Sequence, residues 1–150
     1  MAQRYFELST VVPVSPEEAI DFLTDLRRHK GLHPYLAEAQ VVEEGDSVDG
    51  HWQQWRVHER PRLGPIRYSI RFGARLTRTS PTSFTSWVLV APGCTIEAGT
   101  VATESSTPGA SVVDERAMVR APGLLLGYMA SQAELAHTRT FTRLPEALSL

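Results

Sequence analysis

Gly123-Leu-Leu-Leu-Gly-Tyr-Met-Ala-Ser-Gln-Ala-Glu-Leu-Ala-His-Thr-Arg-Thr-Phe-Thr-Arg-Leu144 is the stretch of sequence that decides the fold. At 1.5 Å per residue it predicts a helix roughly 33 Å long. A rotation of about 100° per residue groups these apolar residues on one half of the helix: Leu124, Leu125, Tyr128, Met129, Ala133, Leu135 and Ala136. Gln132, Arg139 and Arg143 fall on the same half, where a helix that only fills a core carries Leu or Ala. The segment predicts a helix that covers a sheet and lines a partly hollow interior.

The chain before this helix predicts one strand and then two short helices. Residues 4–12 alternate between apolar and polar side chains, as a half-buried strand does. Ser15-Pro16-Glu17-Glu18 is typical of a helix start, because the serine caps free amide groups and the proline suits the first helical position. Gly31 and Pro34 limit the next helix to a turn or two.

Six further strand segments follow, each bounded by turn residues. They are residues 39–44, 52–60, 66–76, 84–90, 95–104 and 111–120. In the clearest of them, the even-numbered residues from Ile66 to Leu76 face one way and three arginines face the other. Short connections make neighbouring strands antiparallel. One helix cannot cover a flat seven-stranded sheet, so we expect the sheet to curl around it and to leave space at one end. Pro145 is expected to stop or kink the helix.

Length and composition indicate one globular domain over residues 1–150. The chain is 42% hydrophobic and 21% charged, as is ordinary for a soluble domain. A net charge of −2 gives no long-range attraction to nucleic acid or to an anionic membrane. Cys94 is the only cysteine, which excludes a disulfide framework and a cysteine metal site.

Targeting signals are also lacking in the sequence. The first residues do not form a basic segment followed by an apolar one, and no apolar run is long enough to span a bilayer. We therefore expect a cytoplasmic protein without an integral membrane segment. Only Lys30 is lysine among fifteen basic residues, a bias that indicates a GC-rich, bacterial genome.

Three regions of the sequence resemble the START-like superfamily, whose helix-grip fold includes polyketide cyclases, birch-pollen-allergen-like proteins and lipid-transfer domains. They are Val11–Asp25, His33-Pro34 with Ala39–Glu43, and Pro122–Leu125. The resemblance implies an α+β fold in which a curved, seven-stranded antiparallel sheet wraps around a long C-terminal helix, with two short helices after the first strand. It also implies an internal cavity for a lipid, an aromatic polyketide, a steroid or another apolar compound.

A cavity of this kind has apolar walls and a few polar groups that orient its ligand. We predict that these residues contact the ligand: Tyr35, Trp55, Tyr68, Ile70, Phe72, Glu115, Met129, Gln132, Ala136 and Arg139. An Arg139 inside the cavity needs a carboxylate or an anionic ligand group. Glu115 is its candidate partner, because it alternates with small apolar residues. A structural Arg139–Glu115 pair, an Arg139 that reaches water, and direct ligand contact all remain open.

Aromatic residues in the strands have two readings. They stack on a flat ligand, or they simply fill the core. The candidates are Trp52, Trp55, Tyr68, Phe72 and Trp87.

The histidines do not indicate a metal site. His29 and His33 are four residues apart, but no third ligand accompanies them. Phosphate-binding loops and nucleophile motifs are lacking as well. We therefore expect neither a metal nor a cofactor.

An arginine-rich strand pair is the one unusual charge pattern. It comprises Arg56, Arg60, Arg62, Arg67, Arg71, Arg75 and Arg78. The pattern predicts either a solvated outer face or a surface for an anionic partner. Nucleic acid is not favoured, because aromatic residues do not interleave on that face.

Three functions follow from these features. We favour a non-enzymatic protein that binds or transports a hydrophobic small molecule. The first alternative is a polyketide cyclase or aromatase that acts on a poly-β-ketone, with Arg139, Glu115, Tyr35 and His58 as candidate acid–base groups. The second is a protein-interaction module that uses the arginine-rich strands. The sequence leaves a homodimer open.

Overall fold

The computed structural model describes residues 2–33 and 35–149, with the side chains of residues 62 and 63 left undescribed. Its strands are β1 (Ala2–Val12), β2 (Leu36–Ser47), β3 (Gly50–Glu59), β4 (Arg62–Leu63), β5 (Ile66–Arg67), β6 (Ile70–Ser80), β7 (Ser83–Ala91), β8 (Cys94–Glu104) and β9 (Ser111–Ala121). Its helices are α1 (Pro16–Thr24), a 3₁₀ helix (Leu26–His29) and α2 (Gly123–Ala147).

Seven strands form one antiparallel sheet in the order β1-β9-β8-β7-β6-β3-β2. β1 pairs with β9 because the chain returns to its first strand at the end of the sheet, and α2 leaves directly from β9. The long helix packs against β1 and β9, while α1 packs against the neighbouring strands β8, β9 and β7. The predicted helix-grip fold is confirmed.

The start of α1 follows from its sequence. The Ser15 hydroxyl accepts a hydrogen bond from the Glu18 amide at 3.3 Å, and Pro16 occupies the first turn. The apolar face of the helix then enters the core through Ala19, Ile20, Phe22 and Leu23. Local capping chemistry therefore fixes where this helix begins, and hydrophobic burial fixes which face turns inward.

The predicted strand over residues 66–76 is wrong in its first part. The sheet strand begins at Ile70, and residues 62–67 form a separate two-stranded hairpin. Gly64 makes its turn with a φ of +63°, a conformation that favours glycine. The Tyr68 amide donates to the Pro61 carbonyl at 3.2 Å, so it forms a hydrogen bond within this segment and not with a strand of the large sheet. The apolar wall that was expected to begin at Ile66 begins instead with Ile70 and Phe72.

The inward face of α2 also differs from the prediction. Its buried residues are Leu126, Ala130, Ala133, Phe141 and Leu144, whereas Leu124, Leu125, Tyr128 and Leu135 are exposed. The helix has two apolar faces. The face that contains Ala130 and Ala133 packs against the sheet, because small side chains allow the helix to approach closely. Pro145 lies inside the helix, which continues to Ala147. A proline in the last turn removes few helical hydrogen bonds, so it does not end the helix.

The buried apolar residues form two clusters along the concave side. One contains Trp55, Phe84, Phe141 and Leu144 together with the inward face of α1. The other lies under the first half of α2 and includes Phe6, Ala98 and Leu126. The interior is therefore packed with apolar side chains around α1 and beneath the first half of α2.

The position of α2 predicts a contrast between two leucines of the same helix. Leu144 is 0% exposed and Leu124 is 100% exposed. Leu144→Ala should lower the free energy of unfolding by about 2–5 kcal/mol, because it removes buried methyl groups and leaves a cavity. Leu124→Ala should change it by less than about 0.5 kcal/mol. Urea unfolding of both variants measures this, and equal losses would contradict the observed face of the helix.

Candidate functional site

The helix α2 covers only one side of the concave sheet. It packs against β1 and β9, which are neighbours at one edge. Farther along the sheet, Ala74, Leu76 and Ala98 are buried, but four neighbouring inward side chains are only half-buried: Phe72 on β6, Ser86 and Val88 on β7 and Ile96 on β8. We call the space over these residues, between β6–β8 and the helix, the trough.

One flank of α2 faces the trough. On this flank the Arg143 guanidinium donates to the Leu32 carbonyl at 3.4 Å. Leu32 is buried in the cluster that contains residues of β2, β3 and β6, so the flank is turned toward those strands. Met129 and Ala136 lie on the same flank and are half-buried, and Gln132 is exposed there. The trough therefore has an apolar floor and a mixed apolar and polar side wall.

A histidine–carboxylate pair lies between α2 and the sheet. Nδ1 of His137 contacts the two carboxylate oxygens of Glu115 at 2.9 and 3.1 Å. The Glu115 side chain is 9% exposed and that of His137 is 29% exposed. Phe6 packs edge-on against the imidazole, with ring centres 5.5 Å apart. Thr100, which is also buried, is the register partner of Glu115 on β8. These residues form a polar layer in an otherwise apolar interior.

The protonation of His137 depends on its carboxylate partner. Burial of the imidazole lowers the pKa of His137, but the hydrogen bond and negative charge of Glu115 together raise it by more, so the pKa lies above its ordinary value. The carboxylate occupies Nδ1 and leaves Nε2 without a partner among the described residues. A histidine held in this way can take up or give a proton at Nε2 near neutral pH.

A second histidine–carboxylate contact lies beside the 3₁₀ helix. Nε2 of His33 is 3.3 Å from Oε1 of Glu59, and the ring of Tyr35 is centred 6.4 Å from that of His33. Burial, with the positive charge of His137 next in size, lowers the pKa of His33, and burial raises the pKa of Glu59. Both shifts are in the direction of the neutral form. Nδ1 of His33 is buried without a hydrogen-bond partner among the described residues.

The structure brings together some of the ten predicted ligand residues. Phe72, Met129, Gln132 and Ala136 border the trough, and Glu115 lies beneath His137. Tyr35 adjoins His33. These side chains come from the turn before β2 and from β6, β9 and α2, as a site enclosed between sheet and helix requires.

Other predicted ligand residues lie elsewhere. Trp55 is 1% exposed and fills the core, and Ile70 stands at the end of β6. Tyr68 is exposed and outside the sheet strands. Of the three alternatives for Arg139, the pair with Glu115 is not formed, because His137 holds the carboxylate, and Arg139 is exposed to water as the second alternative predicts. The sequence did contain a signal for His137, which lies four residues after Ala133 and eleven after Leu126 on the buried stripe.

The convex face carries the remaining candidates. The register places Trp52, Trp87 and His58 on this side, opposite the inward-facing Trp55 and Val57. A groove of about 490 Å³ lies here around Gly99, bordered by Tyr5 and Trp87. Its walls are exposed and carry charges, including those of Arg75 and Arg116. The stacking that was considered for Trp52 is provided by Arg75, 4.3 Å from the ring centre.

A further pocket of about 320 Å³ opens between the α1 end and strands β3 and β6. Arg27, Gln53, Trp55 and Arg78 contribute to its lining. Arg78 belongs to the arginine-rich strand pair, but it turns to the concave side and bridges to Asp21 at 2.9 Å. This pocket is more polar than the trough and lies at the other end of the same concave face.

The two histidines considered as metal ligands have other contacts. Nε2 of His29 lies 2.9 Å from the Phe22 carbonyl and its ring stacks on Phe22, whereas His33 faces Glu59. Within residues 2–33 and 35–149, no three His, Cys, Asp or Glu side chains gather as a metal site. No helix in the same described part of the chain is long and apolar enough to cross a membrane.

Comparisons with known proteins support the fold. No protein-family model and no curated protein matches the sequence. Among solved structures, the Zhui aromatase/cyclase from Streptomyces sp. R1128 is 13% identical, with a TM-score of 0.74 over 97% of this chain and 94% of that one. Ara h 8.0201 is 13% identical, with a TM-score of 0.74 over 99% and 100% of the two chains.

A START superfamily protein from Mycobacterium smegmatis is also similar. It is 13% identical, with a TM-score of 0.70 over 96% of this chain and 98% of that one. These likenesses span nearly the whole chain, and at such identities they concern the fold. The START-like resemblance of the sequence is confirmed at that level.

The Glu115–His137 pair predicts a titration that depends on the carboxylate. In Glu115→Gln, burial acts on the imidazole without an opposing charge, so the pKa of His137 should fall relative to the wild type. Histidine NMR titration of both proteins measures this shift. His51, which pairs with Asp46 and Glu44 on the surface, should titrate identically in both and serves as the control. An unchanged His137 titration would contradict the pairing.

The same pair has a consequence for stability. Because the folded pKa of His137 is raised, the pair stabilises the fold below the unfolded-state pKa of 6.5, and this gain is lost as the pH rises through the folded value. The difference in unfolding free energy between wild type and Glu115→Gln should therefore shrink as the pH is raised above about 6.5. A difference that grows over that range would contradict the assigned sign.

Proposed function

We propose that the protein binds a hydrophobic small molecule in the trough between α2 and strands β6–β8. The observation that carries this proposal is the incomplete cover of the sheet. Apolar inward side chains, among them Phe72, Val88 and Ile96, stay half-buried on a face that folding normally buries. Covering such surface with a ligand is favourable by about 25 cal/mol for each Å² removed from water.

The arrangement of polar groups supports the same proposal. A binding site for an apolar compound is largely apolar and contains a few polar groups that fix its orientation. Gln132 on the helix flank and the His137–Glu115 pair supply such groups at the helix side, while Phe72 and Val88 lie on the sheet side. A lipid, a polyketide or another aromatic compound with one or two oxygen atoms fits this pattern.

Filling the trough should abolish binding. Ser86 points inward on β7, and its neighbour Thr85 points outward into the convex groove. We expect Ser86→Phe to weaken the binding of 2-acetylnaphthalene by at least about tenfold, because the new ring occupies the trough. Thr85→Phe, the matched control, should leave it unchanged. Calorimetric titration measures both affinities.

The opposite ranking would refute the proposal. Loss of binding in Thr85→Phe alone would move the site to the convex groove around Gly99. The absence of any binding of aromatic or acyl compounds to the wild type, together with no compound retained in native mass spectrometry, would remove the proposed function.

A polyketide cyclase or aromatase is the second candidate, and the His137–Glu115 pair favours it. In an aldol closure, Nε2 of neutral His137 would take a proton from a carbon between two carbonyls of a poly-β-ketone. That carbon would bond to a second carbonyl, whose oxygen would receive the proton back from the imidazolium. Glu115 would stabilise the cation and hold the orientation of the ring.

Catalysis of this kind predicts a large loss on removing the imidazole. His137→Gln should lower the rate of cyclisation of a poly-β-ketone by about 10²–10⁴-fold, because general acid–base catalysis contributes that range. The wild-type rate should rise with pH through the raised pKa of His137. Product analysis of wild type, His137→Gln and the surface control His51→Gln tests this, and turnover that is the same in all three would exclude the role.

A further inference from the structure

Exposed apolar side chains cluster at one end of the sheet. Six of them form what we call the apolar rim: Ile66, Tyr68, Ile70, Leu124, Leu125 and Tyr128. Their exposed fractions run from 36% for Ile70 to 100% for Leu124. A monomeric soluble protein rarely collects so many large apolar groups in one region without a use for them.

The topology explains why two distant segments contribute to the rim. β3 ends at Glu59 and β6 begins at Ile70, with the β4–β5 hairpin between them, and β9 ends at Ala121, where α2 begins. Because these strands are antiparallel, all of these termini lie at the same end of the sheet. β9 and β6 are three steps apart in the strand order, which corresponds to about 14 Å at the usual strand spacing.

The charges at this end of the sheet are mostly positive, and the exposed carboxylate of Glu38 on β2 lies two strands away from Arg71. Arg60, Arg67 and Arg71 are exposed at this end, and no Asp or Glu occurs between Arg60 and Ile96. Arg67 and Arg71 have no ion-pair partner among the described residues. Glu59, the carboxylate that ends β3, is turned toward His33.

The helix side of the rim carries no charge at all. From Ala121 to Ala133 the chain has no ionisable side chain other than Tyr128, so the first turns of α2 present Leu124, Leu125 and Tyr128 beside polar groups alone. Apolar side chains, an amphipathic tyrosine and nearby arginines are the combination that settles at the interface of an anionic bilayer.

We propose that the apolar rim docks onto the surface of a membrane that contains anionic lipids. Leu124 and Ile66 would enter the boundary between headgroups and acyl chains, the two tyrosines would lie at headgroup level, and Arg67 and Arg71 would contact lipid phosphates. This use accounts for the part of the arginine-rich strand pair that lies at the end of the sheet. It is independent of the proposed ligand, since the rim can dock whether or not the trough is occupied.

Vesicle co-sedimentation of the full chain tests the proposal. The protein should bind vesicles of phosphatidylcholine mixed with phosphatidylglycerol, should bind pure phosphatidylcholine far more weakly, and should be released by added salt. A basic residue near an anionic surface contributes about 1 kcal/mol, which corresponds to about a fivefold change in binding. The double variant Arg67→Gln/Arg71→Gln should therefore bind about thirtyfold more weakly.

Matched variants separate the rim from general effects of charge and polarity. Arg75→Gln/Arg116→Gln removes the same charge from the convex face and should bind as the wild type does. Leu124→Ser should weaken vesicle binding, whereas Val48→Ser, at an equally exposed site in the β2–β3 turn at the opposite end of the sheet, should not. All four variants change exposed residues, so their thermal unfolding should stay close to that of the wild type, although Arg75→Gln/Arg116→Gln also removes the surface contacts with Trp52 and Glu7.

Three outcomes would overturn the proposal. One is an absence of wild-type binding to anionic vesicles. Another is equal loss in the rim variants and their controls, which would indicate attraction by overall charge. The third is concentration-dependent dimerisation that Leu124→Ser abolishes while vesicle binding stays absent, which would assign the rim to a second copy of the chain. None of these measurements involves a trough ligand, so the two proposals fail separately.

Discussion

The structure depends on one geometric constraint, which is that a single helix covers only part of a seven-stranded sheet. The alanine-containing stripe of α2 seats closely on β1 and β9, and α1 fills the interior at another place together with Trp55. Apolar surface on β6–β8 is left half-buried. Hydrophobic burial drives folding, so surface that remains uncovered after folding is a reason to expect a ligand.

A charged group buried in this apolar interior destabilises the fold unless a partner of opposite charge or a hydrogen bond offsets the loss of its hydration. The buried carboxylate of Glu115 on β9 is costly without a partner, and His137 supplies both a hydrogen bond and a positive charge. The pair consequently links α2 to β9 by a polar contact between the two apolar clusters. Its imidazole is also the group best placed for proton transfer in the concave region, so the same contact serves stability and, in a cyclase, chemistry.

Much of the fold could be predicted because its signals are local. Ser15 and Pro16 mark the start of α1, and period-two alternation marks most strands. The errors lie where tertiary contacts decide. Leu124 and Leu126 are equally apolar, and only packing against β1 and β9 selects the second for burial. The glycine turn at Gly64 diverted residues 62–67 into their own hairpin. Which residue of α2 contacts Glu115 depends on the rotation of the helix about its own axis. The sequence pattern made Arg139 a candidate, whereas the helix as packed presents His137 to the carboxylate.

The central claim is that an apolar compound binds in the trough, and methyl NMR tests it most directly. Titration with 2-acetylnaphthalene should shift the methyl signals of Val88, Ile96 and Met129, which line the concave side. The methyl signals of Val101, on the convex face, should stay in place. Shifts confined to Val101 and other convex residues, or no shifts at saturating probe, would contradict the account.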